Sequence, residues 1–275
     1  MSKWKYYNHA ALPIVAPYMD PDVSEIGNGK IWDIPGKPLL ARWTTDFDCE
    51  HETNWWYVIK DTAFDISELK SKRRYEINKG RKNFTVRLIE PRNYKEELFT
   101  IQVKAFAAYP AKYRPQVDKD AFFKQIDSWD KLPVFGAFFK TDNKLCGYSL
   151  LEPEDERFIR FSVQKTDPDY EGYGLNAVLV EAILMHHSEF LANNGIICDG
   201  ERSVSHETNF QDYLEKYFGF RKAYCVLHVV YKPILRPIVF VLYPFRNLIK
   251  KLDKIKAVHM IVALLNMESI NRSSK

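Results

Sequence analysis

Between residues 84 and 231 the chain alternates two hydrophobic patterns. Short runs rich in β-branched and aromatic residues, bounded by turn residues, predict strands at 84–89, 134–140, 145–151, 158–163, 196–199 and 223–231. Between them, apolar residues recur every third or fourth position and predict helices at 94–108, 119–129, 173–192 and 208–217. The run Thr141-Asp142-Asn143-Lys144 separates two strand-like stretches and predicts a hairpin. The order is strand, two helices, three strands, helix, strand, helix, strand. It implies an α/β layer on a mixed sheet.

The flanking regions read differently, and no internal repeat is present. Residues 1–82 are proline-spaced and aromatic-rich, with strands expected at 39–46 and 55–60 and a basic helix over 67–82. Residues 83–232 form the core, and residues 233–275 a tail. The tail opens with an apolar stretch at 237–245 that proline interrupts. Beyond it Leu248, Leu252, Ile255, Val258, Val262 and Leu265 fit one helical stripe, with Arg246, Lys250, Lys251, Lys254 and Lys256 as a basic face. Such an amphipathic helix suits either an anionic membrane surface or docking on the protein body with its lysines solvated.

Composition narrows the class. The 275 residues are 46% hydrophobic and 15% aromatic, as in a folded globular protein. A net charge of +4 does not by itself imply nucleic acid. Cys49, Cys146, Cys198 and Cys225 show no paired spacing, so neither a disulfide framework nor a zinc site is indicated. Cys49-Glu50-His51-Glu52 has ligand-type side chains but no second cluster, and no metal is expected. The N-terminus lacks a signal-peptide pattern, and no run reaches the ~18–20 apolar residues of a membrane span. A cytoplasmic protein is expected, with peripheral contact at the inner membrane through 233–265. His186 and His187, late in a helix, would suit its negative end as cations. His206 is expected in the cap of the next helix, with Thr208 as the capping residue.

The candidate chemistry centres on Asp167-Pro168-Asp169-Tyr170-Glu171-Gly172-Tyr173-Gly174-Leu175, between a strand and a helix. A strand, a glycine-bearing turn and a helix start gather free amides and the positive end of a helix dipole, which suits a phosphate or pyrophosphate. A second cluster, Lys70, Lys72, Arg73, Arg74, Lys79, Arg81 and Lys82, could hold a phosphate-bearing substrate or be a solvated helix face.

The strand–Pro-x-Tyr-x-Gly-x-Gly–helix unit resembles the acyl-CoA pyrophosphate loop of the GNAT superfamily of N-acyltransferases. Thr208 to Phe220 resembles that family's next helix, with Asn209 opening it, tyrosines along it and Gly219-Phe220 closing it. Leu69 to Gly80 resembles the segment leading into the core in the Fem-type branch, whose members act on peptidoglycan bridges and whose neighbours act in surface polysaccharide synthesis. The resemblance covers a little over half the chain. It implies a GNAT-like, mostly antiparallel mixed sheet with flanking helices, plus an N-terminal extension and a C-terminal amphipathic helix. Acetyl-CoA is the implied co-substrate. Its contacts would come from Val163, Gln164 and Lys165 at the strand end, Gly172, Tyr173, Gly174 and Leu175 in the turn, and Asn209. Amides near 161–164, where the family splays two parallel strands at a bulge, would polarise the carbonyl. Tyr109, Tyr113 and Arg114 are implied acceptor contacts.

The turn departs from the family in carrying Asp167, Asp169 and Glu171. Three carboxylates beside a diphosphate are unfavourable unless they point outward or pair with Lys165. The chemistry also needs a base for an amine of pKa ~10 and an acid for the leaving thiolate. Asp199 and Glu201, on either side of Gly200, are candidate bases, and Tyr213 or Tyr217 the candidate acid. The expected activity is acyl transfer, acetyl above all, to an amine on a small molecule or glycan precursor such as an amino sugar. Two alternatives stay open: a Fem-type aminoacyl-tRNA donor, the one role for nucleic acid, and a non-catalytic membrane-surface binding protein.

Overall fold

In a computed structural model, residues 3–109, 114–203, 209–253 and 255–273 are described. The chain forms two compact units. One comprises residues 1–58, 201–211 and 221–275, and the other residues 59–200 and 212–220.

The first unit is a sheet with helices on it. β1 (Trp4–Tyr7) and β2 (Ala10–Pro13) form a hairpin through Asn8 and His9, whose φ values of 46° and 65° match the left-handed pair of a type I′ turn. β2 runs parallel to β3 (Leu40–Thr45), and β3 runs antiparallel to β10 (Arg221–Tyr231), which β4 (Trp55–Lys60) follows. A short helix α1 (Ser24–Gly27) lies in the loop after β2. Trp4, Ala11, Ile31, Ile34 and Ala41 form one core cluster. The other joins Leu227, Val229 and Tyr231 to α9 (Arg236–Leu242), α10 (Arg246–Lys250) and α11 (Lys256–Ser273). α11 is pinned by polar contacts: the Val229 amide donates to Asn271 Oδ1 at 3.1 Å and the Tyr231 hydroxyl to Glu268 at 2.9 Å.

The second unit is a sheet covered on both faces. Its strands, β5 (Phe84–Leu88), β6 (Val134–Phe139), β7 (Lys144–Pro153), β8 (Phe158–Thr166) and β9 (Ile196–Glu201), stand side by side in sequence order. The pairings from β5 to β8 are antiparallel, and β8–β9 is parallel. β6 shows why its sequence reads as an unbroken apolar run rather than an alternation. Val134 and Phe138 pack with α3 (Lys95–Ala107) and α4 (Lys119–Asp127), through Leu98, Ile101, Phe122 and Ile126. Phe135 and Phe139 turn the other way, toward His186 and Tyr173 around α6 (Leu175–His186). A strand buried on both faces needs apolar residues at every position. α2 (Ser71–Asn83) packs along α6. α5 (Pro168–Glu171), α7 (Ser188–Ala192) and α8 (Asn209–Phe218) complete the described helices.

The α/β class and the mostly antiparallel pairing match the sequence reading, and the core elements fall close to their expected bounds. Three local expectations are corrected. The helix expected over 173–192 breaks at His187, between α6 and α7. The single stripe of the tail is split: Leu248, Leu252 and Ile255 are exposed, whereas Val262 and Leu265 are buried where α11 packs back on α10. The third concerns the charge of His187. Burial, followed by repulsion from His186, pushes its pKa down to about 4, so the ring is neutral at pH 7 instead of a cation serving the helix end.

The neutral His187 ring makes stability depend on pH. The unfolded chain binds a proton on His187 near pH ~6.5 and the folded chain only near pH 4, so the unfolded state binds more protons between those values. Stability is therefore fully present above pH 6.5 and declines as pH falls through this window. Denaturant unfolding at pH 7 and pH 4.5 is expected to show His187→Leu losing about 2 kcal/mol less than the wild type, after allowance for the screening of a half-buried ring.

Candidate active site

Three features of the second unit converge around the start of α6. The first is a wedge between strands. β8 and β9 are paired only at Phe158–Ile196, Ile159–Ile197 and Arg160–Cys198, and part beyond that point. The β7–β8 register also shifts between Leu150 and Leu151, which pair with Val163 and Phe161, leaving Ser162 as an extra, exposed residue. A bulge of this kind releases backbone groups from the ladder. It lies within 161–164, where the sequence reading expected it.

The second feature is the turn from β8 into α6. Asp167 caps α5, accepting from the Asp169 amide at 3.1 Å, and is 2% exposed. Its other oxygen accepts from Lys104 Nζ at 2.8 Å, and the same ammonium donates to Asp169 at 2.6 Å. Lys104, and not Lys165, is thus the cation that meets Asp167 and Asp169. Its hydrogen bond to Asp169 holds that carboxyl below its ordinary value, while the two aspartates raise the lysine, Asp167 first. Glu171 accepts from the Thr166 hydroxyl at 2.9 Å. Lys165 instead reaches the Tyr109 hydroxyl at 3.3 Å and lies over the Phe106 ring. Gln164 accepts from Ser149 and donates to Asn176, on the first turn of α6, at 3.0 Å.

The two turn glycines differ. Gly172 has a φ of −60°, and a Cβ there would meet nothing within 4 Å, so that side of the turn is open. Gly174 has a φ of 85° and caps α6 without a side-chain bond. A Cβ on Gly174 would lie 2.5 Å from the Glu76 carbonyl oxygen and 2.8 Å from the Gly80 nitrogen. Gly80 in turn would strike the Gly174 carbonyl and Val178, both at 2.6 Å. Gly174 is therefore required by the left-handed turn and by the approach of α2. Val163 is half-buried on β8; Tyr173, in the turn, is exposed against Phe139, and Leu175 is buried at the helix start.

The third feature is a cation between two aromatic rings. Arg73 of α2 is buried, with its guanidinium 3.7 Å from the Tyr217 ring centroid and 5.0 Å from that of Tyr213. It bonds Glu76 at 2.5 Å and the Tyr213 hydroxyl at 3.3 Å. Burial pushes the Tyr213 phenol well above its ordinary value. Tyr217 is shifted down, first by its hydrogen bond to Lys216 and with help from Arg73. Arg74 donates to the Ser67 and Leu69 carbonyls, and Arg81 to the buried Glu181 at 2.6 Å. Arg73 is the buried member of the basic cluster and Lys79 is half-buried; Lys70, Lys72, Arg74, Arg81 and Lys82 are exposed, Arg74 and Arg81 with the partners just named.

The other candidates are placed as follows. Asp199 is half-buried on β9. Gly200 beside it has a φ of 105°, so the regular pleat that would set Asp199 and Glu201 on one face is not kept. Glu201, in the first unit, is bound to the buried Arg42 guanidinium. Arg114 folds back on the end of α3, donating to the Ala107 and Tyr109 carbonyls. Tyr113, His206 and Thr208 lie outside the described residues, as does the Asn209 side chain. No group of His, Cys, Asp and Glu suited to a metal occurs among the described residues. The sequence reading missed Lys104, Asn176 and the role of Gly80. An isolated glycine inside a helical pattern was the available signal for the last.

No family model and no curated protein matches the chain. Among solved structures, L-PGS from Bacillus licheniformis is similar, with a TM-score of 0.50 and 11% identity over 87% of this chain and 83% of that one. The C-terminal domain of a putative lysylphosphatidylglycerol synthetase from Agrobacterium fabrum gives 0.48 at 11% identity, covering 82% and 79%. A tandem GNAT protein from the clavulanic acid biosynthesis pathway gives 0.45 at 9%, covering 81% and 75%. At such identities the first likeness speaks for the fold alone, and the two weaker ones carry no argument.

The glycine contacts predict a contrast between two substitutions. Gly80→Val is expected to cost about 2 kcal/mol or more by overpacking, and Gly172→Val less than about 0.5 kcal/mol, in thermal or denaturant unfolding.

Proposed function

We propose that the protein is a GNAT-type acyltransferase that moves an acyl group, acetyl above all, from acyl-CoA to an amine. The parting of β8 and β9 beside the Ser162 bulge, at the mouth that leads to the start of α6, carries this reading. An anionic donor fits there in three respects. Gly172 leaves the turn open, the α6 start offers uncapped amides, and Lys104 answers Asp167 and Asp169. The donor supplies an activated thioester carbonyl. The chain's part is to align that carbonyl with the released amides near Ser162, which stabilise negative charge on its oxygen.

The amine nitrogen then forms a bond to the carbonyl carbon as the carbon–sulfur bond breaks. Asp199, through water, takes the amine's proton, and Tyr217 gives its phenolic proton to the departing sulfur. Tyr217 is the better acid of the two tyrosines, because Lys216 and Arg73 favour its ionised form whereas burial disfavours that of Tyr213. Tyr109, whose hydroxyl accepts from Lys165 beside the strand end, is the proposed acceptor contact. An amino sugar or another cell-surface precursor is the proposed acceptor class.

A second reading keeps the fold and takes aminoacyl-tRNA as donor. The exposed Asp169 carboxylate in the turn favours it, since a like charge is unfavourable beside a diphosphate, as do the solvated Lys72 and Lys82 of α2 and Lys70 just before it.

Isothermal titration with acetyl-CoA separates the two. The first reading expects saturable binding, weakened about tenfold or more by Gly172→Glu, which adds a like charge without a clash. It also expects Tyr217→Phe to lower kcat about 100-fold with little change in KM. Absence of acetyl-CoA binding together with salt-steep tRNA binding would establish the second reading instead.

A further inference from the structure

The helical path through α9 and α10 in the first unit is apolar on two sides. Its inner side, Leu235, Val239, Leu242 and Ile249, packs on the core formed with β10 and α11. Its outer side carries Ile234, Ile238, Val241, Phe245, Leu248, Leu252 and Ile255, at alternating spacings of four and three residues. All seven are exposed, from 49% at Ile238 to 73% at Ile234, and Phe240 beside them is 70% exposed. An apolar stripe of this extent in water marks a contact surface.

Charge indicates what covers it. Residues 232–252 contain five cations, Lys232, Arg236, Arg246, Lys250 and Lys251, and no Asp or Glu; the next residue, Asp253, is an acid that meets His259 at 2.8 Å. A second copy of the chain meeting this face would bring like charges together around its rim, which is unfavourable across a self-complementary interface. An anionic lipid surface meets both requirements, since headgroup phosphates face the cations while the stripe enters the acyl boundary. A span is excluded for this segment. No described helix is long and apolar enough to cross a membrane, and Pro233, Pro237 and Pro244 punctuate the path.

A second observation points to an amphiphile. A groove of about 810 Å³ opens on the same helix next to the stripe, lined by Arg236, Pro237 and Phe240, over a floor that includes Val229 and Val239. The Arg236 guanidinium at its rim has no ion-pair partner among the described residues.

We infer that the exposed stripe from Ile234 to Leu252 forms a docking surface for an anionic lipid bilayer, with α9 and α10 lying in the plane of the interface. This inference concerns the first unit and stands apart from the acyl-transfer reading. The test is co-sedimentation of the full chain with vesicles of phosphatidylcholine, with and without phosphatidylglycerol. Binding is expected only with the anionic lipid. The exposed pair Phe240→Ser/Val241→Ser should abolish it, with an unchanged circular-dichroism melt. Lys250→Glu/Lys251→Glu should reduce it by about fivefold or more per cation lost, about 1 kcal/mol each. The inference is overturned by failure to bind anionic vesicles or by equal binding to neutral ones. It is also overturned by a solution dimer that Phe240→Ser/Val241→Ser dissociates while vesicles take up no protein.

Discussion

The contact of Gly80 with Gly174 is the constraint on which the candidate site depends. Two backbones meet there with no room for a methyl group on either residue. At this distance α2 fixes the start of α6, and with it the direction in which the first amides of that helix point. The same helix carries Arg73 one turn before Glu76, so its guanidinium reaches the Tyr213 and Tyr217 rings of α8. One basic helix thus holds in register the proposed anion site and the proposed acid. Weakening that contact would disturb both, although neither glycine needs to touch a ligand.

Electrostatics makes the turn viable. Burying Asp167 would be costly without a partner. Its two oxygens are divided between a cap for its own turn and the Lys104 ammonium, which also meets Asp169. The carboxylates are therefore not a free negative patch. Lys104 comes from α3, which packs on β7 and β8, and links a helix over one face of the sheet to the loop that leads to the other. Arg73 follows the same logic: a buried cation tolerated because Glu76, a phenol and two aromatic faces replace its water.

The core strands and helices were legible because each is long and has one period. β6 reads as apolar throughout, for it is covered on both faces, and the β6–β7 turn carries Asn143 with φ 57° at the expected hairpin. β1 and β2 were not legible: four residues each are too few for a period, and their pairing depends on the distant β3. The tail misled because spacing records a helical face without saying whether core or solvent meets it. Val262 and Leu265 found the core; Leu248 and Leu252 did not. In the site, the turn's glycines and carboxylates were visible but their partners were not. Lys104 lies 63 residues from Asp167 in sequence, and only the fold brings them to hydrogen-bonding distance.

The proposed chemistry requires that amides at the start of α6 and at the bulge receive an anionic acyl donor. Backbone deuterium exchange, followed by mass spectrometry with and without saturating acetyl-CoA, addresses this directly. Slower exchange confined to peptides spanning 158–163 and 172–177 is the result the account predicts. Unchanged exchange there, with protection appearing elsewhere or nowhere, would contradict it.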